Sequence, residues 1–223
     1  MNALVTGAAR GIGAAIAERL RADGWQVHGV DVEDGDLSTR EGNRAVIDAA
    51  LERFDGRLDA VVANAGFQHV APLREFPEEQ WEKLQALLVT SPFLLAKYAW
   101  DALAASGDGR FLVVASVHGL VASPFKAGYV AAKHGVLGLV KVLALEGAEA
   151  GISASALCPG YVRTAIVEAQ LRDRSEEDLL APQAVKRLLE PAEVAAAAAF
   201  LLGPDGRAVT GAPLVMDLGW TSR

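Results

Sequence analysis

Tyr129 and Lys133 stand four residues apart, and Ser116 precedes them in the stretch SVHGLVASPFKAGYVAAK. On a helix this spacing puts phenol and ammonium side by side on one face. A phenol of pKa about 10 releases its proton reluctantly at neutral pH, and a neighbouring cation favours the phenolate. Tyr129 is therefore expected to exchange a proton with a carbonyl or carbinol oxygen. Ser116, at the end of the apolar run 111–115, is placed to hydrogen-bond the same oxygen as charge develops on it. The same Tyr-x-x-x-Lys spacing also occurs on solvated amphipathic helices, so the assignment depends on a hydride partner elsewhere in the chain.

The N-terminus supplies a pattern for one. An apolar strand, Asn2–Thr6, runs into TGAARGIG, and residues 14–22 read as a helix. Gly7 permits the tight turn, Gly11 lets backbone approach a pyrophosphate, and Gly13 permits close packing of the helix, whose N-terminus faces the phosphates. A glycine-rich turn without a ligand is the bland alternative. The next strand, 25–30, ends in Asp31, where a carboxylate accepts from both adenosine ribose hydroxyls and repels a 2'-phosphate. This predicts NAD rather than NADP.

The elements that must hold these groups alternate strand and helix throughout, with the ligand motifs at strand C-terminal ends. A single α/β domain is expected: a doubly wound, mainly parallel sheet with helices on both faces. The chain has 223 residues, 52% of them hydrophobic, enough for a sizeable core. Its net charge of −7 argues against nucleic acid or an acidic membrane surface as partner. Cys158 is the one cysteine, so no intramolecular disulfide forms. No signal peptide and no 18-residue apolar span are read, and a reducing cytoplasm is expected. No Cys/His cluster has metal-ligand spacing, so no metal is expected.

TGAARGIG, Asn64-Ala65-Gly66 after the strand 58–63, and the Ser116, Tyr129, Lys133 set together resemble the short-chain dehydrogenase/reductase family over nearly the whole chain. The resemblance implies nicotinamide-dependent hydride transfer and a homotetramer. It places Asn64, Ala65 and Gly66 near the adenosine, Asp36 and Leu37 beside the adenine, and Pro159-Gly160 near the nicotinamide. Arg10, Ile12, Val162 and Thr164 join the implied cofactor contacts, as do Tyr129 and Lys133, the latter on the nicotinamide ribose. Within the family, Gln68-His69-Val70, the stretch 118–126, residues 158–164, Gln183 and the ending 216–221 resemble the bacterial D-3-hydroxybutyrate dehydrogenases. That likeness implies that Gln68, His118, Lys126 and Gln183 hold a substrate carboxylate beside Ser116 and Tyr129. The small hydroxy acid would be oxidised to acetoacetate.

Three departures from the family pattern bear on activity. The segment 32–63 is short, so a crossover helix is expected to be missing and, if the third strand is truncated too, one sheet edge to be irregular. Leu88 stands where the family usually places an Asn that holds a water linking the lysine to solvent, and Pro92 is expected to perturb the long helical pattern 78–105. The lid-like segment 164–183 is also short, with Arg172, Asp173, Arg174, Glu176, Glu177 and Asp178 read as a solvated face. Two other readings stay open: an NAD-dependent dehydrogenase for a neutral alcohol, and a catalytically weak NAD-binding protein.

Overall fold

Strand β1 (Asn2–Thr6) is buried in all but its first residue and leads directly into the glycine turn. Helix α1 (Gly11–Ala22) starts at Gly11, earlier than the apolar pattern suggests, because the turn itself delivers the chain into helical geometry. The computed structural model describes residues 1–172 and 174–222, and the expectation for Asp173 lies outside them. After β2 (Gln26–Val30) come α2 (Arg40–Arg53), β3 (Ala60–Ala63), α3 (Glu78–Gln85), α4 (Ser91–Ala105) and β4 (Gly109–Val114). Then follow α5 (Ala127–Gly147), β5 (Ile152–Pro159), two short helices α6 (Ala165–Gln170) and α7 (Glu176–Leu180), α8 (Pro191–Leu202) and β6 (Pro213–Met216).

The six strands form one sheet in the order β2-β1-β3-β4-β5-β6. Every pairing among them is parallel, so the sheet is wholly rather than mainly parallel. Side chains alternate across it, as strand geometry requires. Along β4, Phe111 and Val113 join the layer of α2, α4 and α5, packing with Val46, Leu95 and Val140. Leu112 and Val114 face the other way and meet Ile16 and Leu20 of α1 and Val194 and Ala198 of α8.

The short connection from β2 to β3 carries only α2, as expected, and β2 is the edge of the sheet. That edge is regular: all five residues of β2 hold parallel register with β1. Fully buried Asn43 explains how the shortened loop stays fixed. Its amide donates to the carbonyls of Leu37 at 2.7 Å and Thr39 at 2.6 Å, and its oxygen accepts from the Ser91 hydroxyl at 2.7 Å.

The long pattern 78–105 is not one uniform helix. Between α3 and α4 the residues Ala86–Thr90 form a π-helical turn, with Pro92 in the first turn of α4. Proline has no N–H for the carbonyl of Leu88, and the widened turn accommodates this without breaking the helix. One sequence expectation is corrected here: α5 does contain an apolar span, with mean hydropathy 1.3 over its most apolar window. It is a core helix, burying Val136, Val140 and Leu143 against the sheet.

Candidate active site

Five strand ends converge on one cavity of about 750 Å³, lined by the glycine turn after β1, Asp31 after β2, Asn64 after β3, Ser116 after β4 and Gly160 after β5. Gly7 has φ +65°, and a Cβ there would lie 2.9 Å from the Ala65 Cα. At Gly13 a Cβ would meet the Gly7 carbonyl oxygen at 2.0 Å. Gly13 therefore sets helix packing and does not line the cavity, whereas Gly7, Arg10, Gly11 and Ile12 do. The Asn64 side chain donates to the carbonyls of Thr6 at 2.9 Å and Gly7 at 3.2 Å, locking β3 to the turn. Asp31 accepts from the backbone of Ala9 at 3.0 Å and Val32 at 2.9 Å, which fixes its carboxylate at the rim.

Asp36, Leu37, Ala65, Gly66, Pro159, Val162 and Thr164 complete this wall. Gly11, at φ +58°, leaves its backbone open beside the Thr164 methyl, 3.3 Å from where a Cβ would stand. The backbone-lined turn at a helix N-terminus and the carboxylate at the next strand end fit the diphosphate and ribose of a dinucleotide.

Ser116, Tyr129 and Lys133 meet in the same cavity. Lys133 Nζ donates to the Val114 carbonyl at 2.7 Å and lies 5.6 Å from the centre of the Tyr129 ring. The expectation that the cation lowers the phenol is corrected. Burial pushes Tyr129 up to about 12, the Ser116 hydrogen bond pulls the other way, and Cys158 and Tyr161 push it further up. Lys133 is itself pushed down to about 8 by burial. Leu88 contributes to this dryness, packing with Leu84, Ala132, Phe67 and Tyr129.

At the other end of the cavity stands Lys126, only 6% exposed. Its Nζ lies 3.4 Å from Gln170 Oε1 and 5.4 Å from the Tyr161 ring centre. Gln170 in turn donates to Gln68 Oε1 at 3.1 Å. Burial and the charge of Arg174 push Lys126 down to about 8. No carboxylate pairs with it among the described residues, and a buried, unpaired ammonium favours an anion. His118 lies beside this site, but its ring nitrogens face Ser116 at 3.4 Å and Ser123 at 3.0 Å. Burial pushes it down to about 3, so it is neutral.

Gln183 is not brought to the cavity. It is fully buried, and its amide donates to the carbonyls of Val185 at 3.2 Å and Arg187 at 2.8 Å. The glutamine at the site is Gln170, which sequence reading passed over. Its signal was its place near the end of α6, just beyond the Pro159-Gly160 turn, but the run between Thr164 and Gln183 offered no periodicity to choose between glutamines. Trp220 and Tyr161 were also passed over as site residues. They lie 5.0 Å apart beside His118, in an apolar cluster with Leu179 and Leu180 of α7.

A cavity at the C-terminal ends of a parallel sheet, walled by a glycine turn and a strand-end carboxylate and lined by a Ser-Tyr-Lys set, fits an oxidoreductase that moves hydride to or from a nicotinamide cofactor. A family model described as enoyl-(acyl carrier protein) reductase matches residues 28–221. An uncharacterized oxidoreductase, YxjF, of Bacillus subtilis is 40% identical, with 99% of this chain and 98% of the relative covered. D-beta-hydroxybutyrate dehydrogenases of Cupriavidus necator and Rhizobium meliloti are 38% and 35% identical, covering all of this chain and 98% and 99% of theirs. The chain belongs to the short-chain dehydrogenase/reductase family. These alignments run over 252 to 256 positions, more than the 223 residues here, so the relatives carry segments this chain lacks.

Proposed function

We propose that the protein oxidises D-3-hydroxybutyrate to acetoacetate with NAD. The observation that carries this reading is the buried ammonium of Lys126, without a carboxylate partner among the described residues, in the same cavity as Ser116 and Tyr129. A small substrate with an anion at one end and a secondary alcohol at the other suits that pairing. Gln68 and Gln170 add amide groups at the anionic end. The two relatives named D-beta-hydroxybutyrate dehydrogenase support the same substrate.

In this reading Tyr129 first releases its own proton to solvent and, as phenolate, takes the hydroxyl proton to become the phenol again, Ser116 donates a hydrogen bond to the oxygen as it gains charge, and Lys133 holds the nicotinamide ribose. When bound, the nicotinamide provides the acceptor for the hydride from C3. Asp31 supports NAD over NADP, since its carboxylate at the rim repels a 2'-phosphate. Exposed Val142 and Leu145 on α5 support a homo-oligomer, a tetramer by family resemblance. The single buried thiol suits a reducing cytoplasm. NADH formation with D- and L-3-hydroxybutyrate side by side tests the reading. Turnover of the D isomer is expected; turnover only of a neutral secondary alcohol would replace the substrate.

A further inference from the structure

Both ring nitrogens of His118 face hydroxyls, Nδ1 toward Ser116 Oγ at 3.4 Å and Nε2 toward Ser123 Oγ at 3.0 Å. A neutral imidazole carries one N–H, so its two nitrogens play opposite roles. His118 is neutral because it is buried, with the charges of Lys126 and His134 opposing a proton, and it is enclosed by the edges of Tyr129, Tyr161 and Trp220. Ser116 Oγ already accepts the backbone N–H of His118 at 3.1 Å, and its hydroxyl stands close enough to Tyr129 to pull the phenol down. A hydroxyl has a single hydrogen. If Ser116 spends it on the reacting centre, His118 Nδ1 must be the donor in their contact, and Nε2 must accept from Ser123.

We propose that Ser123 and His118 are positioning residues: the Ser123 hydroxyl fixes His118 in the Nδ1–H tautomer, and His118 thereby holds the Ser116 hydroxyl as a donor toward the reacting oxygen. The hydrogen bonds then run one way, from Ser123 to His118 to Ser116 to substrate, and each polarises the next. The opposite tautomer would draw the Ser116 hydrogen toward Nδ1 and present lone pairs to a developing alkoxide. His118 is then an orienter of the catalytic serine, within the same cavity as Lys126, Gln68 and Gln170. Only the kinetic consequence rests on the dehydrogenase reading; the tautomer belongs to the folded protein.

The test is nitrogen NMR on histidine-labelled protein, which has 4 histidines, with His118 assigned by loss of its signals in His118→Asn. Wild type is expected to show Nδ1–H, and Ser123→Ala to shift His118 toward Nε2–H. With 3-hydroxybutyrate, Ser123→Ala should lower kcat about tenfold, less than the roughly 10²–10³ lost when a donor to an oxyanion is removed outright. KM should stay within about twofold, because a donor acting on the alkoxide favours the transition state over bound substrate. Ser123→Thr should restore both tautomer and rate. The proposal is overturned by Nε2–H in wild type, by a tautomer unchanged in Ser123→Ala, by a switched tautomer with unchanged kcat, or by a loss confined to KM. A protein inactive on hydroxybutyrate would sink the substrate assignment, and the NMR result would still decide the tautomer.

Discussion

Lys126 Nζ stands 3.4 Å from Gln170 Oε1, so α6, the first short helix after β5, places an amide against the lysine at the start of α5. This contact joins α6 to the lysine proposed to meet the carboxylate.

Its first consequence is a pH dependence. Lys126 is pushed down to about 8, chiefly by burial, and only its protonated form attracts a carboxylate. KM for 3-hydroxybutyrate should therefore rise as pH passes about 8, while a neutral alcohol shows no such limb. Lys126→Met should raise KM for the acid roughly ten- to a hundredfold, the order of a charge-assisted hydrogen bond, and abolish the limb. Equal harm to neutral alcohols would show that the ammonium does not meet the carboxylate.

Gln170→Ala should raise the same KM by a few-fold, about the worth of one neutral hydrogen bond, and Gln183→Ala should leave it unchanged in protein that stays folded. The reverse ranking would return Gln183 to the site. Steady-state kinetics on the two variants decides between them.

Tyr129→Phe keeps the ring and removes the acid/base group. Turnover should fall about 10²- to 10⁴-fold with dinucleotide affinity preserved, measured by calorimetric titration. A variant with more than half the wild-type rate would mean that another group carries the proton.

Asp31→Ala removes the carboxylate whose oxygens are held by the N–H groups of Ala9 and Val32. The preference for NAD over NADP should narrow, read as the ratio of kcat/KM for the two cofactors. Wild type using both equally well would contradict the role given to this strand end.

Leu88→Asn introduces an amide into the apolar cluster around Tyr129. Buried without partners it should cost about 1–3 kcal/mol in denaturant unfolding. By relieving the desolvation that holds Tyr129 up and Lys133 down, it should also raise the rate at neutral pH and move the pH–rate profile. An unchanged profile in a folded variant would place the origin of those shifts elsewhere.

Much of this arrangement was legible in the chain. The starts of α2 and α8 carry local signals: the Thr39 hydroxyl accepts from the Gly42 N–H, and Pro191 begins the last helix. The glycine turn, Asp31 and the Ser-Tyr-Lys set were readable because each is a local pattern at a strand end. Gln170 was not, because its role depends on how a short lid folds over β5, and no local spacing encodes that. Nor were the pKa directions of Tyr129 and Lys133, since spacing gives adjacency while burial sets the field. The π turn was half visible in Pro92, which announces a perturbation but not its form.

The shortened connection from β2 to β3 leaves β2 hydrogen-bonded on one side only among the described strands. The outward-facing backbone groups of Gln26–Val30 are then a template that another extended chain can read, save the Val27 carbonyl, which accepts from the Arg21 guanidinium at 3.4 Å. No lysine, arginine or proline lies within the strand to blunt it. Shortening the fold at its adenine end thus exchanges length for adhesiveness: at high concentration, self-association is most at risk of starting at that margin, far from the chemistry, and a lysine at Gln26 is the smallest change that would discourage it.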